Sequence, residues 1–283
     1  MGHHYVPRQH LRRFKIEGQK DLIWMYDKQT RKFCQAGIAS VAQEPGFYDL
    51  DVEQALAAEV EGPGKIAIDK LLERQTIDHS SRLQLSFYFL TMLTRGPRRR
   101  KKSLEEFPET REDVLKEAED YIRDWIQREP DNPLAYTRLK ELEAARVKFT
   151  AEIPQNIIDQ IRTPFWSENM LHAIYNMYWH IIPASDGVFY VTSDTPAHVF
   201  ESYGLGTTDS EFTFTLSHKF ALIGENKRHL GICYEKPQVQ IGKEINRRIL
   251  SHADRFAFSP RKESWIETVS QKRDPFLNRI HWV

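Results

Sequence analysis

Residues Trp179–Asp194 read WHIIPASDGVFYVTSD. Two runs rich in Ile, Val, Phe, Tyr and Thr flank Asp186-Gly187, a dipeptide that favours a tight turn between antiparallel strands. The stretch therefore predicts a β-hairpin and marks a change of texture in the chain. After it, EFTFTLS from Glu211, FALIG from Phe220 and GICYEK from Gly231 continue the β series, and EINRRILSHADRFAFSP from Glu244 reads as a helix leading into a strand.

Before it the pattern is mostly helical. Asp51–Glu61 is rich in Ala, Glu and Leu, and a break is expected at Gly62-Pro63-Gly64 before a second helix from Lys65 to about Arg74. Ser81 and Gln84 have capping-box spacing ahead of LQLSFYFLTMLTR, which is apolar on nearly every side and so belongs in the centre of the fold. That helix should stop at Gly96-Pro97, with RRRKK and the acidic run beyond it forming an exposed connection. Val114, Ala118, Tyr121, Ile122 and Trp125 recur at helical spacing; Asn132-Pro133 offers a cap and first-turn proline for a helix carrying Leu139, Leu142 and Phe149. Ile153, Ile157, Ile158 and Ile161 extend the pattern, and FWSENMLHAIYNMYW adds one more buried helix.

Near the other end, DLIWMYDKQTRKFCQAG alternates around a Lys28–Arg31 turn, a small β-hairpin with Leu22, Trp24 and Tyr26 on one face. The expectation is an α+β fold: a small N-terminal β-hairpin, a mainly helical middle over about 51–178 and a C-terminal antiparallel β meander over about 179–258, in a single domain spanning 1–283.

Forty basic residues balance forty acidic ones, so the overall field does not call for nucleic acid or anionic membrane, and any such contact must come from a local patch. Cys34 and Cys233 have no C-x-x-C partner, which fits reduced, buried thiols in a cytoplasm. No apolar run approaches the roughly 20 residues that cross a bilayer, so a cytoplasmic protein with no membrane partner is expected.

GHHYVPRQHLRRF occupies Gly2–Phe14. The residue before Pro7 is biased toward extended backbone, and successive side chains on a strand point oppositely, so His3 and His4 cannot both face one site. His4 is selected: a neutral imidazole binds a divalent metal or takes a proton near neutral pH. Leu11 and Phe14 read as the buried side of one helical turn.

In order, HHYVPRQHLRRF, LIWMYDKQTRKF, FYDLDVEQALAAEVEG, LTRGPRRR, FYVTSDTPAHVF and LSHKFALI resemble the mainly bacterial family named domain of unknown function 4238, over nearly the whole chain. One departure is Gly96 in LTRGP, where that family commonly has threonine. The resemblance carries no biochemistry with it, but it selects polar residues for scrutiny. Glu53 and Glu61, eight apart, would lie about 80° round a uniform helix and about 12 Å along it, too far to share a metal without a break. Glu61, beside the expected break, is selected. Asp194 ends an apolar strand, and Arg95 ends the central helix with the patch Arg98–Lys102 beyond it. Tyr5, Arg8, Glu44, Tyr48 and Arg98 are candidate binding residues around these.

No phosphate loop, nucleophile elbow, H-E-x-x-H or zinc-type cysteine spacing is present. The residues lead to the expectation of a metal-dependent phosphodiester hydrolase, nuclease-like, acting on nucleic acid. In that reading His4, Glu61 and Asp194 hold Mg²⁺ or Mn²⁺ and Arg95 faces phosphate. The alternative is a non-catalytic ligand-sensing or protein-interaction domain.

Overall fold

A computed structural model describes residues 2–47, 50–151, 167–200, 204–228, 230–272 and 277–280. The fold is α+β, and the chain divides into two compact units, one formed by Met1–Arg98 with Pro164–Val283 and the other by Arg99–Thr163.

In the first unit, β1 (Gly2–His4) leads into a helical turn, α1 (Arg8–Leu11), and a 3₁₀ turn to Phe14. Leu11 and Phe14 are fully buried, as their spacing predicts. The expected hairpin forms from β2 (Leu22–Asp27) and β3 (Lys32–Gly37), in register from Leu22 opposite Gly37 to Asp27 opposite Lys32. Then β4 (Gln43–Pro45) returns to pair antiparallel with β1, setting His4 opposite Gln43.

The following helix is not broken at Gly62-Pro63-Gly64. It runs as α2 (Leu50–Ala55), a π-helical turn over Leu56–Glu61, and α3 (Gly62–Leu72). Proline cannot donate to the carbonyl four residues back, and its ring crowds that carbonyl; a wider turn just before Pro63 accommodates both defects without ending the helix. Gly64 has a separate duty, because a Cβ there would lie 2.5 Å from the ring of Tyr88. That residue belongs to α4 (His79–Thr94), whose N-cap is Asp78, accepting from the Ser81 amide at 2.7 Å, rather than the expected Ser81 capping box.

In α4, Leu85, Tyr88, Phe89, Leu90 and Met92 are buried, confirming its central place. The helix ends at Arg95, and Pro97 at once begins α5 (Pro97–Arg128). The expected exposed connection is therefore helix: Pro97 suits a first turn, and the charged run beyond it consists of good helix formers.

In the second unit α5 is followed by α6 (Pro133–Ala151), capped as expected by Asn132, whose Oδ1 accepts from the Leu134 amide. Glu119 pairs with Arg123 and with Arg146. Of the apolar stripe expected along α5, Val114 and Tyr121 are exposed and Ala118, Ile122 and Trp125 half-buried, while the neighbouring Leu115 is buried. Ile153, Ile157, Ile158 and Ile161 lie outside the described residues.

The first unit resumes with α7 (Glu168–Asn176), β5 (Tyr178–Pro183), β6 (Thr192–Ser193), β7 (Ala197–Val199), β8 (Glu211–Ser217), β9 (Phe220–Glu225) and β10 (Gly231–Tyr234). After these come α8 (Val239–His252), β11 (Phe256–Ser259) and α9 (Ser264–Ser270). A five-stranded sheet has the order β10-β5-β9-β8-β7 and a four-stranded one the order β3-β2-β11-β6. The hairpin expected at Asp186-Gly187 does not close. Gly187 takes the positive φ such a turn needs, but β5 pairs with β9 while β6 crosses to the other sheet and pairs with β11. The β series is also not wholly antiparallel, since β10 lies parallel to β5.

Helix α4 covers the five-stranded sheet through Phe89, whose ring lies 5.7 Å from Trp179 and 4.9 Å from Phe214. Both faces of the four-stranded sheet are packed. Ile23 and Phe258 join this large core, and Tyr26 and Ala257 join a smaller one under α8 and α9. Both cysteines are free; Cys34 is exposed and Cys233 half-buried, so neither is fully buried as expected.

Candidate functional site

Three of the four principal candidates meet at the start of the chain. Arg95, at the C-cap of α4, donates from Nη1 to Oε1 of Glu61 at 2.7 Å and from Nη2 to the backbone carbonyl of His4. Its side chain is 1% exposed and that of Glu61 is 18% exposed, so the pair is largely desolvated. Gln9 donates to the Glu61 carbonyl at 2.6 Å, tying α1 to the π-helical turn.

Glu53 completes the arrangement, although helical spacing argues against it. Its carboxylate accepts from the backbone N–H of His4 and feels the charges of Arg95, Glu61 and His3. The wider turn over Leu56–Glu61 resets the angle between positions 53 and 61 that a uniform helix would impose, so both acids reach the same segment. The available signal was Pro63 inside an otherwise continuous helical pattern. One acid thus holds the amide of His4, and the other, through Arg95, holds its carbonyl.

That clamp leaves two polar atoms over. Nδ1 of His4 and Oε2 of Glu53 are buried with no hydrogen-bond partner. Burial, reinforced by the charge of Arg8, holds the His4 imidazole below its ordinary pKa, so the ring is neutral near pH 7; the Val41 backbone and Glu61 oppose that shift. Burial raises the Glu53 carboxyl, with Arg95 opposing.

Asp194 stands apart. Its backbone carbonyl lies 3.3 Å from where a Cβ on Gly96 would sit, so the main chain passes beside the end of α4. Its carboxylate, however, accepts three amides: Asp254 at Oδ1 (2.9 Å), and Arg255 and Phe256 at Oδ2 (2.7 Å each). Burial pushes its pKa up to about 6 against the pull of those amides. These bonds close the turn between α8 and β11, so the carboxylate has a structural duty of its own. Among the described residues no group of three His, Cys, Asp or Glu side chains is placed to hold a metal ion.

Of the candidate binding residues, Tyr5 is buried, its ring 5.4 Å from Phe47, and its phenol is raised by burial and by Asp194 and Glu44. Glu44 is exposed on β4 opposite His3. Arg8 is exposed, near enough for its charge to act on His4. Arg98 donates to the His252 carbonyl at 3.2 Å. Tyr48 lies outside the described residues. The cations from Arg98 to Lys102 sit on helix, where successive side chains are about 100° apart, so they are spread round its axis instead of forming one face.

The profile described as "Protein of unknown function (DUF4238)" matches residues 2–263. The chain belongs to the DUF4238 family. The match begins at Gly2, so it includes the histidine strand, the two acids of the long helix, Arg95 and Asp194 of this DUF4238 protein. No curated protein and no solved structure matches it. Among the described residues, no helix is long and apolar enough to cross a membrane.

Proposed function

We propose that this DUF4238 protein hydrolyses phosphodiester bonds in nucleic acid with a divalent cation, and that its reaction centre is built on His4 and Glu53. The observation that carries this reading is the pair of buried, unpartnered atoms, His4 Nδ1 and Glu53 Oε2, left over on a segment otherwise held at both ends. The carboxylate oxygen suits Mg²⁺ or Mn²⁺, which keep several waters and need few protein ligands, and the imidazole nitrogen would be the softer second donor. Such an ion would supply an activated water and charge stabilisation for attack at phosphorus. Glu61 and Arg95 are positioning residues for His4, and the exposed guanidinium of Arg8 is the group available to an incoming phosphate.

The test is incubation of the purified full chain with RNA, single-stranded and double-stranded DNA, with Mg²⁺, Mn²⁺ or chelator. Metal-dependent cleavage is expected, reduced about 100-fold or more in His4→Ala and Glu53→Gln with melting temperatures near wild type. Intact substrates under every condition would overturn the proposal. A second reading, a non-catalytic ligand-sensing or interaction domain, is favoured by the commitment of Glu61, Arg95 and Asp194 to bonds within the fold; it predicts that the same variants lower stability and that no turnover is ever measured.

A further inference from the structure

A separate cavity of about 790 Å³ lies where the start of α8, the side of α9, the segment Gly187–Phe189 and residues Asn278–Ile280 come together. It shares no residue with the His4 site and has a volume suited to a small organic molecule. Its walls are apolar and aromatic: Ile241, Val269 and Ile280, with the rings of Phe189 and Trp265 5.6 Å apart.

The charges around it are asymmetric. Among the described residues that line the cavity, Lys243, Arg247 and Arg279 stand against one carboxylate, Glu244. That carboxylate is already engaged, accepting from Arg247, from Arg248 at 3.4 Å and from the Asn278 amide at 2.9 Å. Arg279 is paired with Asp209 and with Glu211, whereas Lys243 is an exposed cation at the rim. Asn246 bonds the backbone of Val191 and Phe189 and so belongs to the wall, while Gln238 and Gln240 are exposed amides at the mouth. The 14-residue helix α8 also begins here, with no side-chain cap from Gln238 and no acid in its first turn, so the positive end of its dipole adds to the same field.

We infer that this cavity binds a small aromatic anion, a planar ring bearing a carboxylate or phosphate, with the ring against Phe189 and Trp265 and the charge toward Lys243. The inference goes beyond the hydrolase reading and does not depend on it. The probe is 2-naphthoate, with uncharged 2-naphthamide as its control, followed by calorimetry and by Trp265 fluorescence on the full chain. Saturable one-to-one binding of naphthoate is expected, about tenfold tighter than the amide and weakened about tenfold by Lys243→Gln, the loss of one charge contact. Val269→Trp should fill the cavity and abolish binding; Gln240→Trp, at an exposed lining position, is the blocking variant should the first fail to fold. Trp265→Phe should remove the fluorescence change while the calorimetric signal persists. Absence of saturable naphthoate binding, equal binding of the amide, or binding indifferent to a folded blocking variant overturns the inference.

Discussion

Arg95 and Glu61 meet at 2.7 Å although they lie 34 positions apart, one at the C-cap of α4 and the other closing a π-helical turn. The guanidinium also reaches the His4 carbonyl, so this pair fixes the N-terminal strand to the helical layer. Removing one member of a buried pair strands the other without water. Arg95→Met is expected to cost about 3–5 kcal/mol in urea unfolding. Arg95→Lys should recover little of it, because one ammonium does not reproduce a fork that serves two acceptors. A loss under about 1 kcal/mol for Arg95→Met would show the pair to be dispensable.

His10 is fully buried between Phe14 and Phe214, with Nε2 3.0 Å from the Thr192 hydroxyl, and burial lowers its pKa to about 3. The folded protein therefore keeps the ring neutral where the unfolded chain protonates it. Its contribution is complete above pH 6.5 and is lost progressively as pH falls toward 3. Between pH 6.5 and 4.5 wild type should lose on the order of 2–3 kcal/mol more than His10→Leu. Parallel stability profiles for the two proteins would refute this.

Asp194 acts in the opposite sense over an overlapping range. Its pKa is raised to about 6 from 3.8, so its contribution is greatest below about pH 4 and is lost as pH rises through 6. Going from pH 4 to 7 should cost wild type on the order of 2–3 kcal/mol relative to Asp194→Asn, measured as the difference between the two pH profiles. The larger displacement at His10 decides the balance of these two groups, which is destabilisation in acid.

Gly64 faces Tyr88 so closely that an added methyl would stand 2.5 Å from the ring and 2.9 Å from the Tyr88 Cβ. Flexible side-chain ends cannot relieve a contact made at the root of a buried residue. Gly64→Ala should therefore lower stability by about 1–3 kcal/mol through overpacking, despite alanine's better helix propensity. A raised melting temperature would mean that α3 and α4 are free to separate.

Local chemistry made much of this fold legible. The alternation of β2 and β3 around their turn, the burial of Leu11 and Phe14, the Asn132 cap and the all-round apolar character of α4 each follow from spacing or capping within about 20 residues. His4, Glu61 and Arg95 were legible as candidates, and they do converge. Local signals fail where distant partners compete with them. Asp186-Gly187 has the right turn chemistry, but Thr192 and Ser193 gain a strand partner in β11 that a local hairpin would deny them.

Signals local to the chain suffice for the α+β class, the family membership and the broad run from hairpin through helices to strands, because periodicity, turn residues and caps act over short distances. That Glu53 joins the site, that the Asp194 carboxylate accepts three amides and that a cationic, aromatic cavity opens beside α8 are properties of the folded arrangement. Each of those depends on which groups lose water together, and desolvation is set by neighbours brought in from far along the chain.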